Sequence, residues 1–155
     1  MKKLIGVIGA RECSDSSLKL AYEVGQEIAK YGYGLVSGGM MGTMEAASRG
    51  CREAGGLTVG IVPGDNPSLA NPYLDIIIPT GMGIMRNLLI VRSAVGLIAI
   101  DGKYGTLSEI AFALQIGKPI VGLNTWDISE EVIKVSTAHQ AVRTIIKLTS
   151  HEYSI

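Results

Sequence analysis

Two glycine clusters stand beside segments of helical period: Gly38, Gly39 and Gly42 before one, and Gly102 and Gly105, followed by Thr106, before another. Glycine lacks a Cβ, so its backbone can close on a phosphate, and free N–H groups with the helix dipole favour an anion there. Gly9–Asp15 and Thr80–Gly83 are two further glycine-bearing loops. The candidate phosphate contacts are Gly9 and Ala10 in the first loop, Ser37, Gly38, Gly39, Gly42 and Thr43 in the second, and Gly102, Lys103, Tyr104, Gly105 and Thr106 in the last. Tight strand-to-helix turns need glycine even without a ligand. One such loop therefore says little, and several converging on one sheet edge say more.

Glu109 and Arg86 are the charged residues of interest beside these loops. Thr106-x-x-Glu109 has the spacing of a capping box, in which the carboxylate only bonds the backbone at a helix start. A carboxylate one turn inside a phosphate-binding helix could equally reach the sugar of a nucleotide. Both readings stay open. Arg86, followed by Asn87, falls early in the preceding helix. It is either a surface arginine or a planar fork suited to phosphate or carboxylate recognition.

Familiar cofactor motifs are missing. Gly6-Val-Ile-Gly9 is not GxGxxG, and Ser37 sits where a ribose-reading acid would end the second strand. That disfavours a hydride-transferring NAD enzyme. No GxxxxGK[ST] occurs, which disfavours a P-loop NTPase. Cys13 and Cys51 are isolated thiols without CxxC spacing, and His139 and His151 stand far from both. No disulfide framework or metal site is expected, and no bound cofactor.

The elements that must position these residues alternate. Lys3–Gly9 is a nearly continuous apolar run, as in a strand covered on both faces. Leu18, Ala21, Tyr22, Gly25, Ile28 and Ala29 then follow helical period, capped within Ser14–Ser17 and ended at Gly32. Further strands are expected at Leu35–Ser37, Leu57–Val62, Leu74–Ile78, Val95–Asp101, Ile120–Leu123 and Val132–Val135. Helices are expected around Met44–Ala54, from Ile84 to Ser93, around Leu107–Leu114, and over Thr137–Leu148. Short linkers between them require right-handed crossovers. The expectation is an α/β, three-layer, doubly wound Rossmann-like domain over residues 1–155, with a mainly parallel sheet of about six or seven strands. Ligands in such folds bind beyond the carboxyl ends of the strands, where strand order reverses.

Composition narrows the function. A chain of 155 residues is long enough to bury roughly 70% of its unfolded surface. Fourteen basic and fourteen acidic side chains balance to zero net charge, which argues against a broad nucleic-acid surface. One Trp, one Phe and six Tyr offer few platforms for stacking single-stranded bases. No nucleic-acid partner is expected. No run free of polar residues exceeds Ala94–Ile100, which is too short to cross a bilayer, so no membrane partner is expected either. Lys2 and Lys3 ahead of Leu4–Ala10 imitate a signal peptide, but Arg11 and Glu12 interrupt the apolar run. The expected location is the cytoplasm.

Ser37-Gly-Gly-Met-Met-Gly-Thr-Met44, Arg86 and Gly102-Lys-Tyr-Gly-Thr-Leu-Ser-Glu109 resemble the Lonely Guy-type family, often labelled "possible lysine decarboxylase". Related nucleotide-binding Rossmann proteins and molybdenum-cofactor carrier proteins share the pattern. The family motif PGGxGTxxE aligns with Asp101–Glu109, and the resemblance spans roughly residues 4–123. It implies a homodimer or larger homo-oligomer that holds phosphate in its glycine loops. In the catalytic branch, an arginine and the last glutamate of the motif help cleave the N-glycosidic bond of nucleoside 5′-monophosphates; here these are Arg86 and Glu109. The alternatives are a carrier or sensor of molybdenum cofactor or a nucleotide, without turnover, and a scaffold whose glycines serve packing alone. Lysine decarboxylase activity finds no support, because nothing identifies a lysine for pyridoxal phosphate.

Three departures matter. Asp101 replaces the motif's proline, Lys103 its second glycine, and Asn87 a lysine usual after the arginine. An ionised Asp101 within ~4 Å of a phosphate would cost about 4 kcal/mol at an effective dielectric near ~20. Either Lys103 offsets that charge or Asp101 points away.

Overall fold

The structure is a computed structural model and describes residues 1–150. His151, considered above as a metal ligand, lies outside the described residues. Seven strands form one parallel sheet: β1 (Leu4–Gly9), β2 (Gly34–Ser37), β3 (Thr58–Val62), β4 (Ile76–Pro79), β5 (Gly96–Ile100), β6 (Ile120–Leu123) and β7 (Val132–Lys134). Their spatial order is β4-β3-β2-β1-β5-β6-β7. Among the described residues five α-helices accompany the sheet: α1 (Asp15–Lys30), α2 (Thr43–Glu53), α3 (Asn87–Ser93), α4 (Tyr104–Gln115) and α5 (Ala138–Thr149). This is the expected α/β Rossmann-like architecture.

Two apolar layers account for the stacking. Ile5, Val7, Leu35, Ile98, Ile100 and Leu123 face one way and pack against α1, α2 and α5. Ile8, Val36, Val59, Ile61, Leu97 and Ala99 face the other way and pack against α3 and α4. Because neighbouring residues alternate faces, a strand covered on both sides has to be apolar throughout, as β1 and β5 are. Each fully buried Ile or Leu contributes about 1.5–3 kcal/mol.

Local signals set the helix ends. The Ser14 hydroxyl accepts from the Ser17 N–H at the start of α1, and Gly32, at φ +80°, follows its last turn. α5 opens on a capping box, in which Thr137 accepts from the Gln140 N–H and the Gln140 side chain returns to the Thr137 N–H. α1 and α2 approach closely enough that a Cβ on Gly25 would lie 2.0 Å from the Ala47 carbonyl oxygen. Among the described residues, no helix is long and apolar enough to cross a membrane.

Most boundaries shift by a residue or so, and two differences from expectation bear on the argument. β4 begins at Ile76 rather than Leu74, because Asp75 caps the ladder by accepting from both the N–H and the hydroxyl of Thr58. The helix expected from Ile84 divides into a 3₁₀ turn over Gly83–Arg86 and then α3. Arg86 therefore ends a tight turn and does not stand inside a helix.

Strand order reverses at β1, which has β2 on one side and β5 on the other. The loops leaving β1 and β5 accordingly flank a crevice at the carboxyl edge, where ligands of such sheets bind.

Candidate functional site

A cavity of about 330 Å³ opens at that reversal point. Val7, Ile8 and Ile90 give it an apolar floor, and the loops after β1, β2 and β5 supply its polar wall.

α4 begins at Tyr104, with Lys103 as the N-cap, and its first helical bond runs from the Leu107 N–H to the Lys103 carbonyl. The N–H groups of Tyr104, Gly105 and Thr106 precede that bond and have no partner within the helix. Gly105 and Thr106 line the cavity. Donors without a partner in the helix and the positive end of a helix dipole thus meet at a concave surface, an arrangement that favours an anion.

Glu109 stands one turn further along α4 and lines the same cavity, only 7% exposed. The capping-box reading fails here, because the helix starts upstream of Thr106 and the Glu109 side chain makes no hydrogen bond among the described residues. Burial pushes its carboxyl up to about 8, against a weaker downward pull from the Arg86 charge. Burial thus favours its protonated form.

Arg86 lies across the base of the cavity, also buried. Its Nε donates to the Ile61 carbonyl at 2.8 Å and Nη2 to the Gly38 carbonyl at 3.4 Å, while Nη1 donates to the Asn87 side-chain oxygen. Asn87 in turn donates to the Ser108 hydroxyl on α4, at 3.1 Å. Burial lowers the Arg86 pKa, the Glu109 carboxylate opposes that, and the nearby Arg11 charge adds to it. The sequence pattern hid this anchoring. Three bonds fix the guanidinium before any ligand arrives, which pre-organises it.

Gly38 has a specific duty in this arrangement: a Cβ there would lie 2.7 Å from Arg86 Nη2 and 2.9 Å from the Met44 sulfur. The rest of the second glycine loop turns inward. Ser37 is buried and its hydroxyl accepts from the Gly39 N–H, while Gly39 packs against Val62 and Leu74. Gly42 sits at φ +68°, and a Cβ on it would meet the Arg11 carbonyl oxygen at 2.1 Å. Thr43 donates its N–H to the Ala10 carbonyl and its hydroxyl to the Cys13 sulfur. Of the proposed contacts, Gly9, Ala10, Gly38, Lys103, Gly105, Thr106, Arg86 and Glu109 share the cavity. Ser37, Gly39, Gly42, Thr43, Gly102 and Tyr104 do not line it.

Asp101 points away. At φ +52° its carboxylate accepts from the Ser17 hydroxyl at 3.1 Å and from the Gly102 N–H at 2.9 Å, so it faces the start of α1. The anticipated repulsion of a phosphate is thereby relieved. Lys103 reaches Glu12 across the cavity mouth at 3.7 Å, both side chains well exposed, an ion pair of small energetic value.

Arg11, Glu12, Met44 and Pro63 also line the cavity, and sequence reasoning passed over them. The signal for Arg11 and Glu12 was available, since they directly follow Gly9 at the carboxyl end of β1. Charged residues in a loop read by default as solvated.

A family model described as the SLOG cluster4 family matches residues 2–155. An Archaeoglobus fulgidus protein is 44% identical over 142 residues, 92% of this chain and 93% of its own length. A cytokinin riboside 5′-monophosphate phosphoribohydrolase of Mycobacterium tuberculosis is 36% identical over 121 residues, 70% of this chain and 63% of that protein's length. Among solved structures, the molybdenum cofactor binding protein of Rippkaea orientalis superposes with a TM-score of 0.91 at 36% identity, covering 96% of this chain and 98% of that one. The molybdenum cofactor carrier protein of Chlamydomonas reinhardtii gives 0.88 at 30% identity, covering 98% and 100%.

Proposed function

The chain belongs to the SLOG cluster4 family, and from that premise we propose that its cavity binds a nucleotide or similar phosphate-bearing small molecule and hydrolyses the N-glycosidic bond of a nucleoside 5′-monophosphate. One observation carries the reading: Arg86, Glu109 and the unpaired amides at the start of α4 face a single cavity.

In this reading the 5′-phosphate sits on the N–H groups of Gly105 and Thr106, with Lys103 at the rim. The sugar then lies toward Glu109. As the bond from the anomeric carbon to the base breaks, positive charge builds on the sugar ring. An ionised Glu109 stabilises that charge or orients the attacking water, and the apolar floor makes its effect larger than in bulk solvent. Arg86 holds the polar groups of the substrate in register without reorganising. The products are the free base and ribose 5-phosphate.

A second reading, a carrier of a phosphate-bearing pterin such as molybdenum cofactor, has its own support. The Rippkaea orientalis protein matches nearly end to end, whereas the phosphoribohydrolase match covers 70% of this chain. Asp101, Lys103 and Asn87 also depart from the catalytic motif. Incubation with AMP, GMP, CMP and IMP, followed by assay of ribose 5-phosphate, separates the two. Hydrolysis predicts product from at least one of them. No product, with a thermal shift from a nucleotide or pterin, replaces hydrolysis by carriage, and neither product nor shift overturns both.

A further inference from the structure

Resting on the reading of the α4 amides as a phosphate site, we propose that Trp126 is a positioning residue that sets the direction of those amides from outside the cavity. Two carbonyls of the loop after β5 are held from outside it, and one of them, that of Lys103, also takes the first bond of α4 from the Leu107 N–H. The Trp126 indole N–H donates to the Lys103 carbonyl at 3.0 Å, and the Thr125 hydroxyl donates to the Asp101 carbonyl at 2.5 Å. The Asp101 N–H is held by the Leu123 carbonyl at 3.1 Å. The end of β6 and the segment that follows it thus grip the segment that follows β5 at three points.

The consequence follows from peptide geometry. A planar peptide points its C=O and the next residue's N–H in opposite directions. Holding the Lys103 carbonyl between the Leu107 N–H and the Trp126 indole therefore fixes the Tyr104 peptide and with it the first turn of α4, of which Gly105 and Thr106 line the cavity. This loop has reason to need such a restraint, because Asp101 and Gly102 both adopt positive φ, +52° and +113°. The Tyr104 ring stacks on the Trp126 ring, with centroids 6.1 Å apart and planes at 25°. Neither ring lines the cavity, so Trp126 acts through the backbone it holds.

The test compares wild type, Trp126→Phe, which keeps a ring for Tyr104 but loses the N–H, and Thr125→Val, which removes the companion bond. AMP and adenosine are titrated against each protein, ribose 5-phosphate against wild type, and the ³¹P resonance of bound AMP is recorded. Loss of one neutral hydrogen bond corresponds to a weakening of about fivefold. The expected result is that loss for AMP in Trp126→Phe, no change for adenosine, and a bound ³¹P resonance moved toward that of free AMP. Thr125→Val moves the same quantities in the same direction and serves alone if Trp126→Phe does not fold. An unchanged AMP affinity and ³¹P shift in the variants overturns the positioning role while leaving the phosphate site standing. Equal weakening of AMP and adenosine also overturns it, as that is the mark of general loosening. Wild-type protein that binds neither AMP nor ribose 5-phosphate overturns the phosphate site, and the positioning role with it.

Discussion

Replacing Glu109 by Gln should make the protein more stable, and more so the higher the pH. A carboxyl whose ordinary value is 4.5 is held at about 8 in the folded state, first by burial. Between those values the unfolded chain has released a proton that the native state still holds, so stability falls as pH rises through that window. At about 1.36 kcal/mol per pKa unit the gap corresponds to about 5 kcal/mol, a large share of the roughly 5–15 kcal/mol that holds a typical domain together. Gln resembles the protonated carboxyl in shape and has no proton to lose. Urea unfolding of wild type and Glu109→Gln from pH 4.5 to 8.5 isolates the effect, since other titrating groups are common to both chains. The two stabilities should nearly coincide at pH 4.5 and differ by about 3–5 kcal/mol at pH 8.5. Parallel curves across the range would refute the idea that this carboxyl is buried without a compensating partner.

The same titration bears on turnover. Hydrolysis that depends on ionised Glu109 should rise with pH and level off above about 8, and a rate profile flat from pH 5.5 to 8.5 would remove Glu109 from the reaction. Arg86→Lys keeps the charge but leaves the Ile61 and Gly38 carbonyls without their planar donor, so a loss of about 2–3 kcal/mol in unfolding free energy is expected. A denaturation midpoint equal to wild type would show that the anchoring bonds contribute little. Gly25→Ala places a Cβ 2.0 Å from the Ala47 carbonyl oxygen and should destabilise by more than about 2 kcal/mol, read by thermal melting.

Apolar runs and glycine stops made the architecture legible, because a parallel sheet covered on both faces leaves few alternatives to β-branched strands and right-handed crossovers. Boundaries were less legible where side chains cap the backbone: Asp75 on Thr58 displaced the start of β4, and no period in the sequence announces that bond. In the site, Glu109 and Arg86 could be named from their spacing to the glycine loops, but their environments could not. Whether Glu109 caps the helix or faces a cavity depends on where α4 begins, and Lys103 sets that start. The second glycine loop was harder still. Its glycines look like those of a phosphate cradle, yet Gly39 and Gly42 admit neighbouring side chains and backbone, and Gly38 makes room for Arg86. Close backbone approach to protein and to ligand leaves the same mark in a sequence.

A structure of the protein with AMP bound puts the account's central claim to its most direct test. The phosphate should lie within about 3 Å of the Gly105 and Thr106 nitrogens, with the ribose on the Glu109 side of the cavity. A phosphate seated instead on the basic groove along α5, near Arg143 and Lys147, or density with the base pressed against the start of α4, would contradict it.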